Sequence, residues 1–196
     1  MSGRPRYQLV VIGVSAGGLK VLKSLLGALP GDFPWPILIV QHLRAGGDSS
    51  PAGVLRRYAA LRLKEADAGE PVVPRTAYFA PANYHLLLER DLTLALSVDP
   101  PVRYARPSVD VLFESAADAV GAGVIGIVLT GANDDGSAGL QAIRSAGGLV
   151  IAQDPDEAEV AQMPLAAIHA GPIDHILPLA QIASLLCDLA GPEMPS

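Results

Sequence analysis

The chain has 196 residues, 50% of them hydrophobic and 17% charged, and a formal net charge of −6. This composition predicts one folded domain with a sizeable core. Negative charge without a basic stripe argues against a nucleic-acid-binding protein. A single cysteine excludes an internal disulfide, and no apolar stretch approaches the ~18 residues of a membrane span. We therefore expect a cytoplasmic protein that is not embedded in a membrane.

Strand-like and helix-like segments alternate at the start of the chain. Residues 8–14 form an apolar run typical of a buried strand, and regularly spaced leucines over residues 19–29 predict a helix. A second buried strand is predicted at residues 36–40. Residues 43–51 have the composition of a loop, and a short helix is predicted over residues 51–60.

The middle of the chain has shorter and more polar segments. Residues 77–80, 84–89 and 92–97 predict short strands, and the turn signal at Arg90-Asp91 indicates that the last two form an antiparallel hairpin. A loop rich in proline and arginine follows, and Ser108 is predicted to cap the next helix.

The alternation of strands and helices returns after residue 120. Strands are predicted at 124–129, 149–152 and 176–177, with a loop at 130–136. Helices are predicted at about 137–146, 160–170 and 179–189. We therefore expect an α/β fold, a doubly wound and mostly parallel sheet with helices on both faces and an antiparallel hairpin near residues 77–97.

The first predicted strand ends in a glycine-rich turn that presents Ser15. The segment Gly13-Val14-Ser15-Ala16-Gly17 satisfies G-x-S-x-G, the sharp turn that holds a nucleophilic serine clear of its backbone. The N–H groups at the start of the following helix would stabilise negative charge. Such turns also hold phosphates or simply reverse the chain, so this segment alone leaves catalysis and anion binding open.

Two other predicted strands also end in polar residues. His42 follows the second strand, and Asp134 and Asp135 lie in the loop after the strand at 124–129. Ligands of such folds gather beyond the carboxyl ends of the strands, so one sheet edge can bring these groups to Ser15. A serine nucleophile needs a base and an orienting carboxylate. The structural alternatives are a packed histidine and an aspartate turn that caps a helix.

Three other kinds of site fit the sequence less well. An α/β-hydrolase would use Ser15, Asp135 and a later histidine, His169 or His175, but that fold has strands before its serine turn. A dinucleotide site needs an acid where the second strand ends in Gln41-His42. No His or Cys cluster has metal-ligand spacing, so we expect neither cofactor nor metal.

Several ordered segments of the chain together resemble one known family. They are Ile12-Gly-Val-Ser-Ala-Gly-Gly18, Val40-Gln-His42, Tyr78-Phe-Ala-Pro81 with His85, Arg106-Pro-Ser-Val-Asp-Val-Leu-Phe113, Val128-Leu-Thr-Gly131 with Asp135-Gly136 and Gly139-Leu140, Ala152-Gln-Asp154, and Met163-Pro164. From about Leu9 to Leu189, the chain resembles the catalytic domain of the CheB-type chemotaxis protein-glutamate methylesterases.

The resemblance implies a bacterial serine hydrolase that cleaves glutamyl methyl esters on chemoreceptors, and some members also deamidate receptor glutamines. It implies Ser15 as nucleophile, His42 as general base and then acid, and Asp135 as the carboxylate that orients His42. Backbone N–H groups near Ala16 and Ala132 would form the oxyanion hole. The implied partners are methylated cytoplasmic receptor helices, with room for a separate response regulator or other signalling protein.

The chain departs from the family pattern in three places. Thr130-Gly131-Ala132-Asn133 stands where the family usually has Thr-Gly-Met-Gly, and Leu43-Arg44 stands where it often has Met-Pro. The usual N-terminal receiver domain has no room before Ser15, so we expect a single catalytic domain over residues 7–190. The altered loop keeps an alternative open, a catalytically weak or inactive receptor-binding module of the same fold.

Overall fold

A computed structural model describes residues 7–42 and 50–191 of the chain. The predicted loop at residues 43–51 lies outside the described residues except for its last two positions. The departure at Leu43-Arg44 lies outside them entirely.

Two sheets are formed within the described residues. The strands in chain order are β1 (Leu9–Val14), β2 (Ile37–Gln41), β3 (Arg62–Glu65), β4 (Thr76–Phe79), β5 (His85–Leu88), β6 (Leu94–Ser97), β7 (Val124–Val128), β8 (Leu149–Gln153) and β9 (His175–Leu177). Seven of them form a parallel sheet in the order β3-β4-β2-β1-β7-β8-β9. The other two, β5 and β6, pair as a separate antiparallel hairpin.

Helices cover both faces of the parallel sheet. They are α1 (Gly18–Ala28), α2 (Pro51–Leu55), α3 (Val109–Val120), α4 (Ser137–Ser145), α5 (Gln162–Ala170) and α6 (Leu179–Ala190). The apolar sides of α1, α2 and α6 pack in one core, and those of α3, α4 and α5 pack in the other. In the described parts of the chain, no helix is long and apolar enough to cross a bilayer.

The central strand β1 shows why the buried strands have continuously apolar sequences. Val10, Ile12 and Val14 point into the core with α1 and α6, whereas Leu9 and Val11 point into the core with α3. A parallel strand that is covered on both faces needs apolar residues at every position. The strand order also reverses at β1, since β2 lies on one side and β7 on the other. Ligand sites of open α/β sheets lie at this kind of reversal.

The predicted α/β architecture is confirmed, including the antiparallel hairpin, which β5 and β6 form. The structure adds three details. Thr76–Phe79, whose sheet the sequence left open, joins the main sheet. The sequence does not predict the edge strand β3, because three of its four residues are charged and it has no apolar run. Ser108 precedes α3 at the N-cap position but its side chain makes no capping bond there.

Candidate active site

The carboxyl ends of three adjacent strands bring the predicted site segments together. Ser15 directly follows β1, His42 follows β2, and residues 130–136 follow β7. The backbone N–H of His42 donates to the carbonyl of Val14, and the N–H of Ser15 donates to the carbonyl of Thr130, both at 3.0 Å. The parallel pairing of β1 with both neighbours therefore fixes these segments against one another.

Ser15 lies in a sharp turn between β1 and α1. Gly17 has φ 77°, a left-handed conformation that glycine adopts at little cost, and the N–H of Gly18 closes the turn on the Ser15 carbonyl at 2.9 Å. Among the described residues, the N–H groups of Ala16 and Gly17 and the Ser15 hydroxyl have no hydrogen-bond partner. The turn thus presents a serine hydroxyl beside two unengaged backbone donors.

The loop after β7 approaches Ser15 closely at Gly131. A Cβ atom at Gly131 would lie 2.9 Å from the Cβ of Ser15 and 1.9 Å from the Sδ of Met163. Only glycine fits there without displacing its neighbours. Next in the chain, the N–H of Ala132 has no partner among the described residues, and neither Ala132 nor Asn133 has a positive φ.

Gln41 connects the serine turn with the histidine. Its Nε2 donates to the carbonyl of Ser15 at 2.9 Å and to the carbonyl of His42 at 2.8 Å. The residue is only 6% exposed. Gln41 belongs to one of the segments that carry the family resemblance, but no role for it could be predicted. A single polar residue at a strand end does not reveal its hydrogen-bond partners.

His42 and Asp135 are in direct contact. The Nε2 of His42 lies 2.8 Å from the Oδ2 of Asp135, and the two side chains are 12% and 0% exposed. An ionised carboxylate only accepts hydrogen bonds, so Nε2 carries the proton and Nδ1 is left with the lone pair. This tautomer leaves Nδ1 as the basic nitrogen of the ring.

The Asp135 carboxylate accepts three further hydrogen bonds from the start of α3. Its oxygens accept from the Ser108 hydroxyl at 2.8 Å and from the N–H groups of Val109 and Asp110 at 2.7 and 2.9 Å. Burial alone raises the pKa of Asp135, but the bonds from His42, Asp110, Val109 and Ser108 outweigh it and lower the pKa. Asp135 is therefore held as a carboxylate.

Asp110 makes the reciprocal contact with the start of α4. Its Oδ1 accepts from the N–H groups of Gly136 and Gly139 at 2.9 and 2.8 Å, while Arg103 donates to its Oδ2 at 3.0 Å. Burial is the main cause that raises the pKa of Asp110, and the nearby charge of Asp135 adds to it. Each of the two helices thus receives its N-terminal cap from a carboxylate at the start of the other.

The second nitrogen of His42 faces Asn133. The Nδ2 of Asn133 lies 3.2 Å from the Nδ1 of His42, and the Oδ1 of Asn133 accepts from the Asp135 N–H at 3.3 Å. Ser15 and His42 line the same cleft, together with Lys20 at its rim. The structure thus shows contact between His42 and Asp135, and between His42 and Asn133, in a cleft that Ser15 also lines.

The other candidate residues lie elsewhere. Asp134 is half exposed and pairs with Arg103, so the two adjacent aspartates have different surroundings. His169 lies in the last turn of α5 and His175 begins the edge strand β9, and among the described residues neither has a hydrogen bond or ion pair with Asp135. Within the described residues, no group of three or more His, Cys, Asp or Glu side chains is arranged to hold a metal ion.

Comparison with known proteins identifies the family. A sequence model of the family described as CheB methylesterase matches residues 10–186. The chain belongs to the CheB methylesterase family. This confirms the resemblance inferred from the ordered sequence segments.

Two relatives illustrate how much of a CheB methylesterase this chain spans. A putative protein-glutamate methylesterase/protein-glutamine glutaminase of Leptospira interrogans is 45% identical over 183 residues, which cover 93% of this chain and 95% of the relative. A protein-glutamate methylesterase/protein-glutamine glutaminase 1 of Geobacter metallireducens is 44% identical over 178 residues, 89% of this chain but 49% of the relative. This chain therefore spans nearly all of the first protein and about half of the second.

A solved CheB structure has the same fold. The crystal structure of the Thermotoga maritima CheB methylesterase catalytic domain matches with a TM-score of 0.89 at 35% identity, covering 93% of this chain and 98% of that chain.

Proposed function

We propose that this chain is a protein-glutamate methylesterase with one catalytic domain over residues 7–190, in which Ser15, His42 and Asp135 hydrolyse glutamyl methyl esters. The observation that carries the proposal is the 2.8 Å contact between His42 and the buried Asp135 in a cleft that Ser15 also lines, where the Ser15 hydroxyl has no hydrogen-bond partner among the described residues. A carboxylate, an imidazole and a hydroxyl in this arrangement suit acyl transfer.

In the first half of the reaction, the Nδ1 of His42 accepts the proton of the Ser15 hydroxyl while Asp135 holds the ring through Nε2. The Ser15 oxygen bonds to the ester carbonyl carbon, and the carbonyl oxygen becomes an oxyanion. The N–H groups of Ala16 and Ala132, which have no hydrogen-bond partner among the described residues, are the donors that would stabilise it.

The tetrahedral intermediate then collapses. Nδ1 of His42 gives its proton to the methoxy oxygen, the carbon–oxygen bond breaks, and methanol leaves a glutamyl ester on Ser15. Water repeats the sequence with His42 as base, which releases the glutamate side chain and restores Ser15. Glutamine deamidation follows the same steps with ammonia as the leaving group, and the names of both relatives carry that second activity.

The substrate that we propose is the methylated cytoplasmic helices of chemoreceptors, so the protein would act in the cytoplasm. A separate response regulator or other signalling protein is proposed as a further partner. Support comes from family membership and from the relatives' names. No nucleic-acid partner is proposed.

Methanol release from a methylated receptor helix tests the function directly. We expect the wild type to release methanol and Ser15→Ala to lose this activity while it unfolds at the same urea concentration. Ser24→Ala is the matched control, because Ser24 is an exposed serine of α1 whose hydroxyl donates to the Lys20 carbonyl within its own helix. Full activity of Ser15→Ala would contradict the proposal.

The alternative is an inactive module that binds receptors without turnover. The observation on its side is the Asn133 amide, which lies on the lone pair of His42 that the reaction needs, whereas the names of the relatives support the esterase. This alternative predicts binding of the methylated helix with no methanol released by the wild type.

A further inference from the structure

Asn133 stands where the family pattern usually has a glycine, so its side chain is a feature of this chain's own loop. The amide reaches two groups of the candidate site. Its Nδ2 lies 3.2 Å from the Nδ1 of His42, and its Oδ1 accepts the N–H of Asp135 at 3.3 Å. The second contact is the local turn that asparagine commonly makes with the backbone two residues ahead, and it holds the amide in place.

The contact with His42 falls on the nitrogen that matters for the reaction. Because Nε2–H is committed to Asp135, Nδ1 carries the only lone pair of the ring. An N–H donor on that lone pair competes with the Ser15 hydroxyl, which has no hydrogen-bond partner among the described residues. Once Nδ1 is protonated, it can no longer accept from the Asn133 amide, so that bond must break during each proton transfer.

None of the charged groups described near the His42 ring binds its Nδ1. Asp135 binds the opposite nitrogen, and Asp110 lies behind Asp135 at the start of α3. Lys20 and Glu159 lie at the cleft rim and pair with each other at 3.8 Å. Among the described residues, Asn133 alone has a hydrogen bond to the Nδ1 of His42.

We propose that Asn133 is a positioning residue that occupies the His42 base in the resting enzyme and has to release it before Ser15 reacts. The inference rests on the proposed function and deepens it. In this proposal, the side chain of Asn133 lowers the reactivity of Ser15 by engaging His42. An amide that merely filled space would leave the reactivity of Ser15 unchanged when replaced.

The test measures how fast a small alkyl fluorophosphonate inactivates the full chain. In this reaction the Ser15 oxygen bonds to phosphorus, the phosphorus–fluorine bond breaks, fluoride leaves, and the serine proton passes to His42. The main variant is Asn133→Ser, whose hydroxyl still accepts the Asp135 N–H but is too short to reach His42. Removing one neutral hydrogen bond predicts inactivation faster by about 2- to 10-fold.

Asp134→Ala is the matched control, since Asp134 is the neighbouring loop residue and pairs with Arg103 instead of His42. We expect its inactivation rate to equal that of the wild type. A second readout is the ¹⁵N resonance of the His42 Nδ1, which should shift in Asn133→Ser and stay in place in Asp134→Ala. If Asn133→Ser does not fold, Asn133→Ala serves for both measurements.

The outcomes separate this inference from the proposed function. Faster inactivation of Asn133→Ser than of the wild type, together with a shifted Nδ1 resonance of His42, supports the role proposed for Asn133. An unchanged or slower rate overturns it, and the proposed function stands if the wild type still reacts at Ser15. If neither the wild type nor any variant reacts with the probe or releases methanol, the proposed function fails and this inference fails with it.

Discussion

Asp135 serves the candidate site and the fold with the same four hydrogen bonds. One comes from His42, and the others come from Ser108, Val109 and Asp110 at the start of α3. Because the carboxylate is buried, each donor would lose its partner if the acceptor were removed.

The first prediction concerns Asp135→Asn. An amide keeps the shape but turns an N–H₂ toward donors, so we expect about a 10³- to 10⁴-fold loss of methanol release and a loss of about 1–3 kcal/mol in the free energy of unfolding. Steady-state rates and urea unfolding measure the two effects. Asp134→Asn is the control, because Asp134 is half exposed and pairs with Arg103. It should change the rate of methanol release and the free energy of unfolding only slightly. Retained activity in Asp135→Asn would contradict the role of this carboxylate.

The second prediction concerns the close approach at Gly131. In Gly131→Ala the new methyl group would meet the Sδ of Met163 at 1.9 Å and the Cβ of Ser15 at 2.9 Å. The methionine can move, but the serine turn cannot move without losing its geometry. We therefore expect a large loss of methanol release that the second change Met163→Ala does not restore. Full rescue in the double variant would show that only the methionine contact matters.

At the scale of single residues, part of the candidate site could be predicted from the sequence. Ser15, His42 and Asp135 follow strand ends, and their residue types indicate acyl transfer, so pattern and family resemblance singled them out. Gln41 and Asn133 were given no contacts in the site, because their partners are up to 91 positions away or depend on the orientation of one amide group. Such contacts are set by tertiary structure and leave no periodic signal.

At the scale of elements, α3 and α4 are linked by exchange of caps. Asp135 precedes α4 and accepts the first N–H groups of α3, while Asp110 belongs to α3 and accepts two N–H groups at the start of α4. The arrangement explains why Ser108 does not cap its own helix, since its hydroxyl donates to Asp135. It also holds the Asp135 carboxylate between the two helices.

The third prediction separates the cap of Asp110 from its charge. Asp110→Ala removes the acceptor of two buried N–H groups, and we expect it to lower the free energy of unfolding by about 2 kcal/mol. Asp110→Asn keeps an acceptor oxygen and loses mainly the pair with the partly exposed Arg103, so its cost should be under about 1 kcal/mol. Urea unfolding of both variants measures the two free energies. Equal losses of unfolding free energy would show that the charge of Asp110, not the cap, stabilises α4.

At the scale of the whole molecule, the fold was easier to predict than the site's hydrogen bonds. The apolar runs of β1, β2, β7 and β8 are buried on both faces and bounded by glycine, proline or polar loops, so their number and order could be read from the sequence. The polar edge strand β3 and the sheet membership of β4 could not, because both depend on pairing with distant residues.

The fourth prediction concerns the pH dependence of stability. The folded-state pKa of Asp110 is raised above its ordinary value of 3.8, chiefly by burial. Its contribution to stability is therefore full below the unfolded pKa and is lost as pH rises through the folded pKa. Asp135 has a lowered pKa, so its contribution is lost only as pH falls through that lower value.

Urea unfolding of the wild type and Asp110→Asn over a pH series tests the sign of this effect. The stability of the wild type relative to Asp110→Asn should decline as pH rises from 3.8 through the raised pKa and then level off. A relative stability that rises over the same window would contradict the assignment of this shift to Asp110.

The central claim is that Ser15 forms a covalent glutamyl ester during turnover. Acid quenching of the enzyme with a methylated receptor peptide, followed by peptide mass mapping, detects this species directly. We predict an adduct with the mass of the substrate peptide less methanol, confined to the fragment that contains Ser15. Methanol release without any adduct at Ser15, or an adduct on another residue, would contradict the account.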